Sequence, residues 1–302
     1  MSATEAGFGI LTMATPGDFR KAIGLALSLR ASNPGVPLAV ACSPKARPLV
    51  ARHFDVVVDE DPSLRGFEHK IHMDRYSPFV ETVFFDSDVL VFKPVWPLIQ
   101  AWRSHPYMAC GELMTEPMCR LNTVVRTSSF GMDRIAVMQR LGKPALTVID
   151  GAGHAYFRKP ACQPVFDMAR DVTRQHKQLI GDIPFADEDV IDYVMTAMDI
   201  PPAPWANFFS RHLSGSPGTV RMNAVRGECR FVSATTGEVV EPCMMHFAAN
   251  EVPFAYHRQL FGLFRAHGLS TEGLLGQCLN DWYLRRIRDR LSAMKRRLLR
   301  AI

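Results

Sequence analysis

No stretch of this 302-residue chain stays apolar for the roughly 18 residues that a membrane span requires. Charge, proline or glycine interrupts every candidate. The N-terminus lacks a basic segment followed by an apolar block, so no secretory signal is read there. The seven cysteines (Cys42, Cys110, Cys119, Cys162, Cys229, Cys243 and Cys278) are scattered and odd in number, and none belongs to a CxxC or Cys/His cluster of zinc spacing. They read as reduced, mostly buried thiols of a cytoplasmic protein. Positive charge is also missing from most of the chain. Seven arginines and one lysine against two aspartates give residues 281–302 a charge of +6, so of the net +5 the rest carries −1. An enzyme of nucleic acids spreads positive charge over its body, so nucleic acid is not an expected partner.

What is present is an ordinary globular composition, 47% hydrophobic and 22% charged, without repeats or low-complexity linkers. GFGILTM is apolar and β-prone, TPGD supplies turn and N-cap residues, and RKAIGLALSLRAS has helical periodicity up to Asn33-Pro34-Gly35. VPLAVACS and FDVVVDED follow as strands with a short helix between them. This βαβαβ alternation predicts an α/β fold, a Rossmann-like sheet flanked by helices. A helix over 67–76 should end at Ser77-Pro78, and VETVFFDSDVLVF should form a buried strand running into two aspartates, at the carboxyl end where open α/β sheets bind ligands. Later come a strand at HAYFRK, helices over 164–177 and 187–198, and short strands in TVRMNAVRG, CRFVSA and EVVEPCMMHF.

Asp86-Ser87-Asp88 carries the chemistry. In an extended strand, residues i and i+2 share a face, so both carboxylates can reach one point. Hard cations such as Mg²⁺ or Mn²⁺ are held by one or two carboxylates together with substrate phosphates. Two carboxylates in an apolar frame are costly to bury without such a cation.

The segment KIHMDRYSPFVETVFFDSDVLVFKP resembles the glycogenin-like branch of glycosyltransferases with the GT-A fold. There, a lysine-bearing helix, a Ser-Pro-aromatic turn and a strand ending in Asp-x-Asp-x-x-Val occur in this order, matched here by Lys70, Ser77-Pro78-Phe79 and Asp86-Ser87-Asp88 through Val91. The resemblance extends more weakly from the first strand to His246. It implies a mixed GT-A sheet with C-terminal helices: a catalytic domain over 1–250, with a nucleotide-sugar half (1–115) and an acceptor half (116–250), then a helical region over 251–302. It implies donor contacts from Thr12, Met13, Ala14, Thr15, Lys70, Asp86, Ser87, Gly151 and Gly153. It implies a Mn²⁺ or Mg²⁺ site formed by Asp86, Asp88 and His246, and catalytic or sugar-contacting roles for Asp150, Asp187 and Glu188.

The reaction implied is transfer of a sugar from a nucleotide sugar, most simply a UDP-sugar, to an acceptor hydroxyl with retained configuration, the leaving phosphate accepting the acceptor proton. An inverting enzyme would instead need a base, for which Asp187, Glu188 and Asp189 are the candidates. The acidic run also suits a helix N-terminus without catalytic work. The chain departs from the family after His246-Phe247, where it reads Ala248-Ala249-Asn250 in place of Gly-x-x-Lys-Pro. Lys70, Arg75 or another basic residue would take over the diphosphate.

From Leu284 to Ile302, apolar residues at steps of three and four alternate with arginines and Lys295, an amphipathic basic pattern suited to an anionic membrane surface. Peripheral attachment at the inner face of the membrane, a lipid-linked or glycan acceptor, and a homodimer packed through this helix are the partner expectations. The rival readings are a haloacid-dehalogenase-type phosphatase using Asp86 and Asp88, a nucleotidyltransferase, and a binding module without activity.

Overall fold

A computed structural model describes residues 6–149, 154–203, 209–210, 215–216, 218–234, 236–247, 253–283 and 286–287. The expected sugar contacts Asp150, Gly151 and Gly153 lie outside the described residues, as does most of the basic tail beyond Tyr283. In chain order the first strands are β1 (Ala6–Ala14), β2 (Leu38–Cys42), β3 (Val56–Asp59), β4 (Phe79–Phe85), β5 (Val89–Val91), β6 (Tyr107–Ala109), β7 (Gly111–Thr115), β8 (Ala145–Ile149) and β9 (His154–Arg158). The chain divides into two compact units. One comprises residues 1–17, 36–86 and 96–205; the other comprises 18–35, 87–95 and 206–302.

The first unit is built on a mixed six-stranded sheet of order β3-β2-β1-β4-β9-β6. Strands β1 to β4 run parallel, whereas β9 is antiparallel to both of its neighbours. The strand order reverses beside β1. The carboxyl ends of β1 and β4 therefore flank the position at which open α/β sheets bind ligands. Leu11, Ala39, Phe84, Ala155 and Phe157 turn one face into a core shared with Val165, Phe166 and Ala169 of the helix Gln163–Arg174 and with Val190 and Val194 of the helix Asp187–Ala197. Phe166 meets Tyr107 and Phe157 edge to face, at 5.6 and 5.2 Å between ring centroids. The alternate residues Ile10, Val40, Val83 and Tyr156 are buried as well. Near-continuous apolar strands of this kind are what a sheet buried on both faces needs.

Strands β7 and β8 form a separate antiparallel ladder. It is tied to the helix Asp187–Ala197 by the Thr147 and Ile149 amides, which donate to Thr196 Oγ1 (2.9 Å) and Asp192 Oδ1 (2.8 Å).

In the second unit β5 pairs antiparallel with Met244–His246, which also pairs with Phe209–Ser210. Two side chains of the helix Phe19–Ser32 and its C-cap hold the segment around β5. Ser28 Oγ accepts from the Val91 amide (3.1 Å), and Asn33 Oδ1 accepts from the Val95 amide (2.8 Å).

One expectation is corrected. Residues 79–91 are not one strand: β4 ends at Phe85, Asp86-Ser87-Asp88 forms a turn, and β5 starts at Val89 in a different sheet. A straight strand cannot serve two ladders with different partners, so the chain breaks where its hydrogen bonding changes hands. The argument that i and i+2 share a strand face therefore does not apply to the two aspartates.

All seven cysteines are buried, and none is joined in a disulfide. Burial pushes the Cys162 thiol up to about 11 and those of Cys229 and Cys243 up to about 12. Among the described residues no helix is long and apolar enough to cross a membrane.

Gly24 faces Leu260 of the helix Pro253–Ala266 so closely that a Cβ there would come within 2.1 Å of Leu260 Cδ2. Alanine at a helix interior gains about 1 kcal/mol over glycine, but overpacking costs about 1–3 kcal/mol. Gly24→Ala is therefore expected to destabilise the protein in urea unfolding, and combination with Leu260→Ala to lose less than the sum of the two single variants.

Candidate functional site

The segment carrying Lys70 is a 3₁₀ stretch, Gly66–His72, continued by one α-turn, Met73–Tyr76. It stops because Ser77 precedes Pro78, and the residue before a proline is pushed out of the helical region; Ser77 is extended, with ψ of 127°. The turn is anchored on both sides. Arg170 donates to Asp74 at 3.0 Å in a buried ion pair, and Lys159 Nζ donates to the Ser77 carbonyl at 2.7 Å.

Lys70 Nζ then lies 2.8 Å from Asp86 Oδ1 and 3.4 Å from Asp187 Oδ2. Burial pulls the Lys70 pKa down, but the charges of Asp187 and Asp86, with the hydrogen bond to Asp86, outweigh it and hold the ammonium above its ordinary value. Burial raises the pKa of Asp187, partly countered by Lys70 and reinforced by Asp86. Asp187 opens the helix Asp187–Ala197, where the helix dipole favours an acid.

Asp86 is positioned from below. The Thr12 hydroxyl donates to the Phe85 carbonyl at 2.7 Å, joining the ends of β1 and β4 just before the acidic turn. Thr12 is buried, so its side chain serves this clasp. On the other side of β4, His154 sits directly opposite Phe85 in the antiparallel register. The imidazole is fully buried, with 0% exposure, and one of its ring nitrogens lies within 4.8 Å of an Asp86 carboxylate oxygen.

In the second unit Asp88 stands next to its own histidine. His246 pairs with Val89 across the ladder, and the Phe247 amide donates to the Asp88 carbonyl at 3.2 Å. His246 Nε2 is thereby held 3.2 Å from Asp88 Oδ1. Phe247 rests on buried Tyr256, 4.9 Å between centroids, which backs the turn with apolar mass.

The other predicted residues fall as follows. Ala14 is buried, Met13 is half-buried, and Thr15 is exposed just beyond the end of β1. Ser87 is half-buried within the acidic turn. Glu188 is half-buried, while Asp189 is buried and accepts from Ser128 Oγ at 3.0 Å. Arg75 is exposed and lines a cleft of about 200 Å³ with Asp59, Glu60 and Asp61 beyond the end of β3. Lys70, not Arg75, is thus the basic residue held on Asp86. The sequence alone marks HAYFRK as a strand and assigns His154 no role. A histidine opening an otherwise apolar strand was the available signal.

The fold is that of the GT-A glycosyltransferases. The galactosyltransferase LgtC, in complex with donor and acceptor sugar analogues, matches 89% of this chain and 99% of its own with a TM-score of 0.55 at 16% identity. An active-site mutant of the same enzyme matches with a TM-score of 0.54. The apo bifunctional glycosyltransferase WbbM matches 92% of this chain with a TM-score of 0.57 at 12% identity, and only 51% of its own length is covered. No protein-family model and no curated protein matches the sequence.

Lys70→Met leaves two carboxylates without their cation and is expected to cost about 3–5 kcal/mol at pH 7.5. The loss should shrink as pH falls, because burial already favours the protonated form of Asp187, and Asp187→Asn in the same chain should recover part of it; urea titrations at pH 7.5 and at lower pH read this. Asp189 gives a second pH signature. Burial, opposed by the Ser128 hydrogen bond, raises its pKa from 3.8 to about 6. Its contribution to stability is complete below the unfolded value, is lost as pH rises to about 6, and stays lost above. Asp189→Asn should therefore be more stable than the parent by about 3 kcal/mol at pH 7.5 and no more stable at pH 3.5.

Proposed function

We propose that this chain is a metal-dependent glycosyltransferase that moves a hexose from a UDP-sugar to a hydroxyl of a glycan or lipid-linked glycan, with retention of configuration. The observation that carries the reading is the acidic turn at the end of β4. Asp86 and Asp88, two residues apart, each stand beside a histidine, in a fold whose solved representatives include LgtC, crystallised with donor and acceptor sugar analogues.

Asp86, Asp88 and His246 are the proposed ligands of Mn²⁺ or Mg²⁺. Their oxygen and nitrogen donors fit a divalent cation of this class. The cation supplies neutralisation of the departing nucleoside diphosphate.

The protein's own groups do the rest. Lys70, kept charged by its two carboxylates, takes the place of the lysine that a Gly-x-x-Lys-Pro segment would supply after His246-Phe247, and binds diphosphate oxygens. Thr15, Met13 and Ala14 continue β1 toward the nucleoside, while Asp150, Gly151 and Gly153 meet the sugar. Retention, with the acceptor proton passing to the leaving phosphate, is part of this reading; Asp187 is engaged by Lys70, and Glu188 and Asp189 are the groups that an inverting reaction would use as base. The basic tail is the proposed contact with an anionic membrane or a second copy. A haloacid-dehalogenase-type phosphatase places its Asp-x-Asp after the first strand of its domain, whereas here the motif follows the fourth.

Thermal unfolding with UDP, UDP-glucose and UDP-galactose, each with and without Mn²⁺, tests the reading. A ligand at about 100 times its Kd adds about 2.7 kcal/mol, a rise of several degrees. The rise should require metal and nucleotide together and vanish in Asp88→Ala. A rise that survives in that variant, or hydrolysis of simple phosphate esters by the parent, overturns the proposal.

A further inference from the structure

We infer that His154 is a nitrogen ligand of the cation held by Asp86, so that the site is more selective for Mn²⁺ over Mg²⁺ than carboxylates alone would make it. The inference rests on the metal-binding reading of the acidic turn. It comes from three observations made within the first unit.

The first is register. Strand β9 runs antiparallel to β4, and its first residue lies opposite the last residue of β4. Asp86 leaves β4 one residue later, on the same edge of the sheet. The second is distance: a ring nitrogen of His154 comes within 4.8 Å of an Asp86 carboxylate oxygen. A cation about 2 Å from each of its ligands separates them by about 3–4 Å, so the two donors stand little farther apart than ligands of one cation do. The third is burial. The imidazole is wholly enclosed at the end of a strand whose next three residues, Ala155, Tyr156 and Phe157, are also wholly buried. An apolar side chain would fill that place at lower desolvation cost, and the polar ring faces an acid.

The chemistry of the donor gives the consequence. Imidazole suits the first-row transition metals, while Mg²⁺ prefers oxygen ligands and gives up water reluctantly. A histidine from β9 adds affinity for Mn²⁺ and contributes little to Mg²⁺. His154 is thus a specificity-determining ligand, separate from the proposed set of Asp86, Asp88 and His246.

The full-length protein titrated with MnCl₂ alone provides the test. Bound Mn²⁺ is read from loss of the free-ion electron paramagnetic resonance signal, Mg²⁺ affinity from competition, and nitrogen ligation from ¹⁴N modulation in pulsed spectra. In His154→Leu and His154→Gln, Mn²⁺ binding should weaken by about tenfold or more, with a smaller loss for Mg²⁺. In His246→Ala the bound Mn²⁺ should still show ¹⁴N modulation. That arm stays informative even if both His154 variants fold poorly. Complete loss of modulation in His246→Ala, or unchanged Mn²⁺ affinity in folded His154 variants, overturns the assignment of His154 alone. Absence of Mn²⁺ binding in the parent protein, or binding unaffected by Asp88→Ala, instead overturns the metal reading of the acidic turn.

Discussion

The end of β4 depends on one ammonium group. Lys70 reaches two carboxylates that are about a hundred residues apart in the chain, Asp86 on the acidic turn and Asp187 at a helix start. Without it, buried Asp187 would face half-buried Asp86 unscreened and the two would repel. With it, they remain one negative charge in excess. That residual charge is what a cation or a basic group on a ligand would find there. The buried Asp74–Arg170 pair and the Ser77 turn serve the same end, since they fix the short helical segment that delivers the lysine. Electrostatics of this kind is poor evidence of net stabilisation but good evidence of a fixed geometry.

Much of this was readable in advance where local chemistry agrees with the final structure. The opening βαβαβ was legible because its strands are uninterrupted apolar runs and its turns carry glycine, proline and aspartate. The stop at Ser77-Pro78 follows from proline sterics alone. Lys70, Asp86, Asp88 and His246 stood out through their spacing and their resemblance to a family, and the fold places Lys70 on Asp86 and His246 on Asp88.

What could not be read depends on pairing between distant segments. The acidic turn looked like part of one long strand because Val83 to Val91 is apolar throughout apart from the turn itself. Only the partners of β4 and β5, which differ, reveal the break. Strands β7 and β8 pair across 29 intervening residues and carry no strong alternation. His154 gains its meaning from facing Phe85, a relation set by the antiparallel entry of β9 into an otherwise parallel neighbourhood. No window of sequence around residue 154 contains that fact.

The enclosed thiols have a practical corollary. Alkylating reagents attack the thiolate, and burial disfavours that form at Cys162 in the first unit and at Cys229 and Cys243 in the second. Each sulfur therefore reacts only when its surroundings open. Iodoacetamide uptake, followed by peptide mass, would act as a clock on the opening of each unit separately, with no engineered label and no change to the acidic turn.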